Sequence, residues 1–217
     1  MYARYFKRFF DFTLSLLALL VLALPLLVVA LAVRVAVGRP VLFRQQRIGK
    51  GNRPFTMYNF RSMTEARDSR GVYLPDPERL TPLGRLLRST SIDELPELLN
   101  VLKGDMSLIG PRPLPVRYLE RYTPTQLRRH EVRPGLSCPS VVAGRNSSTW
   151  EAQFEGDVRY VDHVSLLTDL HCVIQTLRIV VSRKGAVADD GGARGEFIGT
   201  ARIEDLRHDA EGNFMKL

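Results

Sequence analysis

The sequence predicts a small, mainly helical α+β domain with one short β-hairpin, anchored by a single N-terminal membrane helix and resting amphipathic helices on the membrane surface. Three observations carry that expectation. The residues Phe12 to Val33 form a run of 22 without a charge; as a helix it is roughly 33 Å long, the thickness of a bilayer's hydrocarbon core. Apolar residues recur at helical spacing through most of the remaining chain. One pair of short strand-like segments flanks Gly49-Lys50-Gly51-Asn52, a turn composition. The 217 residues suit one compact domain plus an appendage. They divide into a membrane segment with its flanks (1–37), a folded domain (38–184) and a polar, loosely packed tail (185–217).

The apolar run is too long for a cleavable signal peptide, and no small-x-small cleavage site follows it before Arg34. Two features distinguish it from a plain spanning helix. Pro25 lies mid-run, where a missing N–H favours a kink. Both flanks are basic: Arg4, Lys7 and Arg8 before it, Arg34, Arg39, Arg44, Arg47, Lys50 and Arg53 after it. Spanning helices carry their basic excess on one side only. A re-entrant helix that breaks at Pro25 and returns keeps both flanks beside anionic lipid on the cytoplasmic face.

Beyond the run, Val41-Leu42-Phe43 and Pro54-Phe55-Thr56-Met57-Tyr58 read as the hairpin strands. Residues 64–79 are polar and contain Pro75 and Pro77, a loop. Thr81-Pro82 is a helix start, a cap followed by proline at the first position. Leu95, Leu98, Leu99 and Leu102 form an i, i+3, i+4, i+7 stripe that ends at Gly104. Ser107-Leu108-Ile109 is a strand candidate. Helical periodicity returns at 115–130, at 151–163 and most broadly from Ser165 to Ser182.

The net charge of +8 suits an anionic partner, whether nucleic acid, anionic lipid or a phosphorylated small molecule, and equally a generally basic, soluble surface. Nucleic acid is disfavoured, because the arginines are interspersed with acidic residues and aromatics make up only 8% of the chain. Cys138 and Cys172 form no disulfide framework and lack zinc-site spacing, so they read as small buried side chains.

The most informative segment is Arg88-Ser89-Thr90-Ser91-Ile92-Asp93-Glu94-Leu95-Pro96. One reading is structural: Ser91 and Glu94 have the spacing of a capping box, and acids favour a helix's first turn. Pro96 conflicts with it, since it falls where a regular helix needs its N–H. The other reading is chemical. Adjacent carboxylates diverge, so one can attack phosphorus while the other assists with a proton or a metal. Phosphoryl transfer also needs cations on the phosphate oxygens, and Arg88, Arg112 and Arg145 are candidates. Asp105, Asp157 and Asp169 read equally as metal ligands or as helix caps.

These pieces, taken in order, resemble the bacterial sugar transferases, the monotopic phosphoglycosyl transferases. The matching elements are Lys7-Arg8-x-x-Asp11, Gly38-x-Pro40-Val41-Leu42-Phe43-x-Gln45, Phe60-Arg61-Ser62-Met63 and Thr81-Pro82-Leu83-Gly84. An almost unbroken stretch then runs from Asp93-Glu94-Leu95-Pro96 to Gly110-Pro111-Arg112-Pro113, followed by Arg133-Pro134-Gly135, Gly144-Arg145-Asn146 and Trp150. The resemblance covers about residues 7–182. It implies an enzyme of the bacterial cytoplasmic membrane that moves a sugar-1-phosphate from a UDP-sugar to polyprenyl phosphate and releases UMP. Asp93 would be the nucleophile and a ligand of Mg²⁺, Glu94 would assist, and Arg112 would hold phosphate. Asn59, Arg61, Asp157 and Asp169 are supporting candidates.

Three departures bear on that expectation. Asn59 stands where the family usually has lysine. Ser137-Cys138-Pro139-Ser140-Val141 replaces Thr-Gly-Trp-Ala-Gln, and Leu24-Pro25 replaces Ser-Pro. The alternatives are a catalytically altered or inactive paralogue, for which Asn59 is the argument, and a basic membrane-anchored lipid-binding module that would not need Asp93-Glu94. Asp190-Gly191-Gly192-Ala193-Arg194 superficially resembles a CDP-alcohol transferase signature, but it is one residue short and several membrane helices are missing.

Overall fold

The computed structural model describes residues 2–138, 149–182 and 195–199. Helix α1 spans Lys7–Ala36 and is long and apolar enough to cross a membrane. One helix runs through Pro25 in place of the two halves expected on either side of it; a proline removes one hydrogen bond, and the rest of the ladder can persist around a bend.

The two ends of α1 are anchored and its middle is not. At the N-terminal end, Lys7 pairs with Asp169 at 2.6 Å. Arg8 donates to the carbonyls of Val101 and Leu102, and Asp11 Oδ1 accepts from the Leu108 amide at 3.0 Å. The Lys7-Arg8-x-x-Asp11 pattern is thus a set of three clamps onto the domain. At the other end, Val33 is fully buried against Phe60 and Leu87. Between them Leu20, Val21 and Leu24 are at least two-thirds exposed.

The hairpin forms where expected. Strand β1 (Leu42–Ile48) pairs antiparallel with β2 (Pro54–Phe60), from Leu42 opposite Phe60 to Ile48 opposite Pro54. Its turn places Gly51 and Asn52 at positive φ, which these two residues tolerate best. A short helix α2 (Asp76–Arg79) lies in the expected loop. Helix α3 (Pro82–Thr90) starts as read, with the Thr81 hydroxyl accepting from the Gly84 amide at 2.9 Å. A 3₁₀ turn, Ile92–Glu97, leads into α4 (Leu98–Lys103), which Gly104 ends at φ 92°. Strand β3 (Ser107–Ile109) pairs in parallel with β4 (Gly135–Ser137).

The helix expected over 115–130 is instead three short pieces: a 3₁₀ turn Val116–Arg121, helix α5 (Pro124–Leu127) and a 3₁₀ turn Arg128–Glu131. Pro124 cannot sit inside a helix, so the chain restarts there, capped reciprocally by Thr123 and Gln126. Helices α6 (Trp150–Asp162) and α7 (Leu166–Ser182) match the two later periodic stretches. Leu166, Leu167, Leu170 and Leu177 of α7 are more than half exposed, the apolar face expected of an interfacial helix.

Part of the expected loose tail is packed. Phe197 is 1% exposed in an aromatic cluster with Tyr118, Tyr122 and Phe154. The Trp150 indole donates to the Gly195 carbonyl at 3.1 Å, and the Phe197 amide to the Tyr118 hydroxyl at 3.2 Å. One aromatic in a polar tail has no periodicity to announce it, yet burying it is worth several kilocalories.

Candidate active site

The Asp93-Glu94 pair sits on a turn of unusual geometry. Ser91 takes a left-handed conformation, φ 56° and ψ 19°, closing α3 and opening the 3₁₀ turn. Its side chain caps nothing, so the capping-box reading fails: αL geometry turns the hydroxyl away from the following amides. The 3₁₀ path also accommodates Pro96, since in so short and tight a turn the missing N–H disrupts no longer ladder.

Two close backbone approaches fix the arginines around this turn. A Cβ on Gly84 would lie 1.9 Å from the Ser62 carbonyl, so only glycine lets α3 rest on Ser62. There the Arg88 Nε donates to the Ser62 hydroxyl at 2.9 Å. Likewise, a Cβ on Gly135 would lie 2.1 Å from the Gly110 nitrogen. This contact lets the Gly135 amide reach the Pro111 carbonyl at 3.0 Å. The Thr-Pro-Leu-Gly, Arg-Pro-Gly and Gly-Pro-Arg-Pro elements are therefore one scaffold for Arg88 and Arg112.

Arg112 is held from both ends. Its carbonyl accepts from Arg129 at 2.7 Å, while its half-exposed guanidinium pairs with Glu94 at 2.7 Å. The charge of Glu94 holds the guanidinium protonated more firmly than usual. Glu97, 4% exposed, accepts from the Asn59 amide at 2.9 Å. Burial, reinforced by the charge of Glu94, pushes its carboxyl up to about 8, so it is mostly neutral at pH 7. Asn59 thus meets an uncharged acid where a lysine would have met an ionised one.

Asp93 differs from both. Burial and then Glu94 push it up to about 6, with Arg88 and Arg112 opposing. Among the described residues no side chain donates a hydrogen bond to it. Its own backbone amide donates to it, and of the three acids on this turn it alone is held by no side chain.

The structure therefore brings together Asp93, Glu94, Arg88 and Arg112, with Asn59 joined to them through Glu97. Arg61 is occupied elsewhere, donating to the Arg39 carbonyl at 2.6 Å and pairing with Glu65. Asp157, fully buried, receives Arg129 at 2.7 and 3.0 Å; its role is to hold the arginine that holds Arg112. Asp169 accepts from Tyr2, Lys7 and Tyr160, each at 2.6 Å, and so secures the start of α1. Asp169 has both carboxylate oxygens engaged, whereas Asp157 uses only Oδ2 and its Oδ1 is buried without a hydrogen-bond partner. Arg145 lies outside the described residues. The Asp105 carboxylate accepts from the Asn100 amide at 3.4 Å and lies close enough to Arg8 to raise the affinity of that guanidinium for its proton.

Sequence alone does not single out Glu97, Arg47 or Arg129. Glu97 had a signal, one turn beyond Asp93-Glu94, but it was absorbed into the leucine stripe. Arg47 reaches the site only through tertiary contacts: an isolated bridge joins it to Pro115, and the Ile48 amide donates to the Leu114 carbonyl at 3.0 Å.

The bacterial sugar transferase family matches residues 2–183. An uncharacterised sugar transferase, EpsL, of Bacillus subtilis is 50% identical over 82% of this chain and 89% of its own length. The galactosyl transferase CpsE of Streptococcus agalactiae is 37% identical over 83% of this chain. A UDP-N-acetylgalactosamine-undecaprenyl-phosphate N-acetylgalactosaminephosphotransferase of Aeromonas hydrophila is 36% identical over 84%. The chain spans 43% and 45% of the latter two relatives. With the Asp-Glu turn and its arginine scaffold in place, this chain belongs to the bacterial sugar transferase family.

Proposed function

We propose that this protein transfers a sugar-1-phosphate from a UDP-sugar to polyprenyl phosphate at the cytoplasmic face of a bacterial membrane, through a phosphosugar carried on Asp93. The observation that carries the reading is the Asp93 carboxylate, which feels the charges of Arg88 and Arg112 and is held by no side chain, beside two acids that are each hydrogen-bonded to a side chain. The names of relatives, which specify undecaprenyl phosphate with galactose, glucose or N-acetylgalactosamine, support the reaction class and leave the sugar open.

In the first half-reaction, an Asp93 carboxylate oxygen attacks the β-phosphorus of the donor. The bond from that phosphorus to the bridging oxygen breaks, and UMP leaves with the oxygen and the electron pair. In the second, a phosphate oxygen of the lipid attacks the same phosphorus. The Asp93–phosphorus bond breaks, returning the carboxylate and leaving a polyprenyl diphosphate sugar. Arg112 and Arg88 offset charge on the phosphoryl oxygens. Glu94 keeps the Arg112 guanidinium in position.

Among the described residues no group of three or more His, Cys, Asp or Glu side chains could by itself hold a metal ion. Mg²⁺ is typically held by one or two carboxylates plus substrate phosphates, and Asp93, which no side chain occupies, fits that donor set. When bound, the ion would neutralise phosphoryl charge.

A re-entrant seat in the membrane is supported by α1 itself. Both ends grip one domain while the apolar middle is bare, the arrangement of a helix dipping into a bilayer and returning to the side it left. Lipid-facing backbone freed at Pro25 demands a bend within one helix more readily than an open break.

The test is UMP release by protein in lipid nanodiscs with Mg²⁺, polyprenyl phosphate and a panel of UDP-sugars. Wild type is expected to release UMP with at least one donor, and Asp93→Asn to lose roughly 10⁴-fold or more. Equal rates from the two proteins would remove Asp93 from the mechanism.

A further inference from the structure

We propose that Arg47 is a second guanidinium of the phosphate site, binding a substrate phosphoryl group together with Arg112 in the small cavity between the hairpin and the Gly110–Pro115 segment. The identity of the ligand rests on the function proposed above; the anion site itself rests on geometry. The cavity is lined by Arg47, Met57, Glu97, Arg112, Pro113 and Gly135. The Arg47 Nε is buried with no hydrogen-bond partner, and among the described residues its guanidinium forms no ion pair. Buried polar groups are otherwise hydrogen-bonded almost without exception, and an unpaired buried charge is costly.

Nor is Arg47 a surface arginine that happens to lean inward. The backbone bridge to Pro115 and the bond from Ile48 to Leu114 lock its strand to the segment that carries Arg112. Burial and the neighbouring charge of Arg112 lower its affinity for its proton, to about 10. Two guanidinium groups therefore face one cavity. Burial biases the carboxyl there, Glu97, toward its neutral form, and Glu94 is already paired with Arg112. The fold places two guanidinium groups on one cavity and leaves the Arg47 Nε without an acceptor, which suits a phosphate with several acceptor oxygens. That phosphate has two possible sources, the diphosphate of the donor and the monophosphate of the lipid.

The experiment compares wild type, Arg47→Met and Arg47→Lys by thermal unfolding in nanodiscs, with inorganic phosphate or UMP added, and then by turnover. Wild type is expected to gain Tm with at least one of the two anions. Arg47→Met loses that gain while its unliganded Tm is no lower than wild type, because an unpaired buried charge has gone. Arg47→Lys keeps part of the gain. In turnover, a rise of tenfold or more in KM for the UDP-sugar assigns the site to the donor, and the same rise confined to polyprenyl phosphate assigns it to the lipid. Wild-type anion shifts and unchanged KM values in both variants overturn the proposal, as does a wild type that neither anion stabilises. Should Arg47→Met fail to fold, the KM values of Arg47→Lys decide in the same way. If wild type releases no UMP with any donor, the proposed function fails, and the anion shifts still decide the role of Arg47.

Discussion

Arg129 and Arg47 both border Arg112, and the fold treats them in opposite ways. Arg129, 1% exposed, has an acceptor on each of its three nitrogens: Asp157 on two, the Tyr122 hydroxyl at 3.2 Å and the Arg112 carbonyl at 2.7 Å. Aromatic faces of Tyr122 and Phe154 cover it. Around Arg47, Glu97 and Asp93, by contrast, a buried nitrogen has no acceptor, an acid is biased toward its neutral form and a carboxylate has no side-chain donor among the described residues. A buried guanidinium with an acceptor on every nitrogen builds structure; one with a nitrogen left short of an acceptor is a place where a ligand can complete it.

Substitutions on the paired side should act on stability. Asp157→Asn strands Arg129 and is expected to cost about 3–5 kcal/mol, read as a lower midpoint in urea unfolding. A loss below about 1 kcal/mol would mean the pair is not structural. Phe197→Ala should cost about 3 kcal/mol, because Phe197 stacks on Tyr122 at 5.6 Å and abuts Phe154 at 5.0 Å. An unchanged Tm would show that the 195–199 segment contributes nothing to the cluster.

Changes on the unpaired side should act on pH dependence. Asp93 attacks as the anion, so kcat/KM is expected to rise with pH through about 6. A profile flat from pH 5 to 8 would contradict its role. Glu97 shows the effect in stability. Its folded-state value of about 8 lies above the ordinary 4.5, so the fold favours the protonated form. That stability is complete below about 4.5 and is lost as pH rises through about 8. Glu97→Gln, which keeps an acceptor for Asn59, should remove this loss, so that its Tm falls less than wild type between pH 6 and 9.

Much of the paired framework was legible beforehand, because local chemistry specifies it: the Thr81-Pro82 start, the Gly104 stop, the turn around Gly51, and the α6 and α7 stripes. The Asp93-Glu94 turn was legible as chemistry but misread in one respect, since the αL state of Ser91 follows from packing rather than from residue type. The 115–130 stretch was misread because apolar spacing says nothing of how often prolines restart the chain. Arg47, Arg129 and Phe197 were invisible for one shared reason: each acquires its role from residues distant in sequence, with no periodic pattern or motif of its own. Asp157 and Asp169 were visible as acids, but only the fold shows that one holds Arg129 and the other Lys7.

The most direct measurement is the mass of the protein after incubation with its UDP-sugar donor and Mg²⁺ in the absence of polyprenyl phosphate. A covalent mechanism predicts a gain equal to one sugar phosphate less water relative to the free acid, mapped to the peptide carrying Asp93, absent in Asp93→Asn and discharged when the lipid is added. Robust turnover in the full mixture with no adduct on that peptide, even on rapid quenching, would contradict a phosphosugar on Asp93 and favour direct transfer between the two substrates.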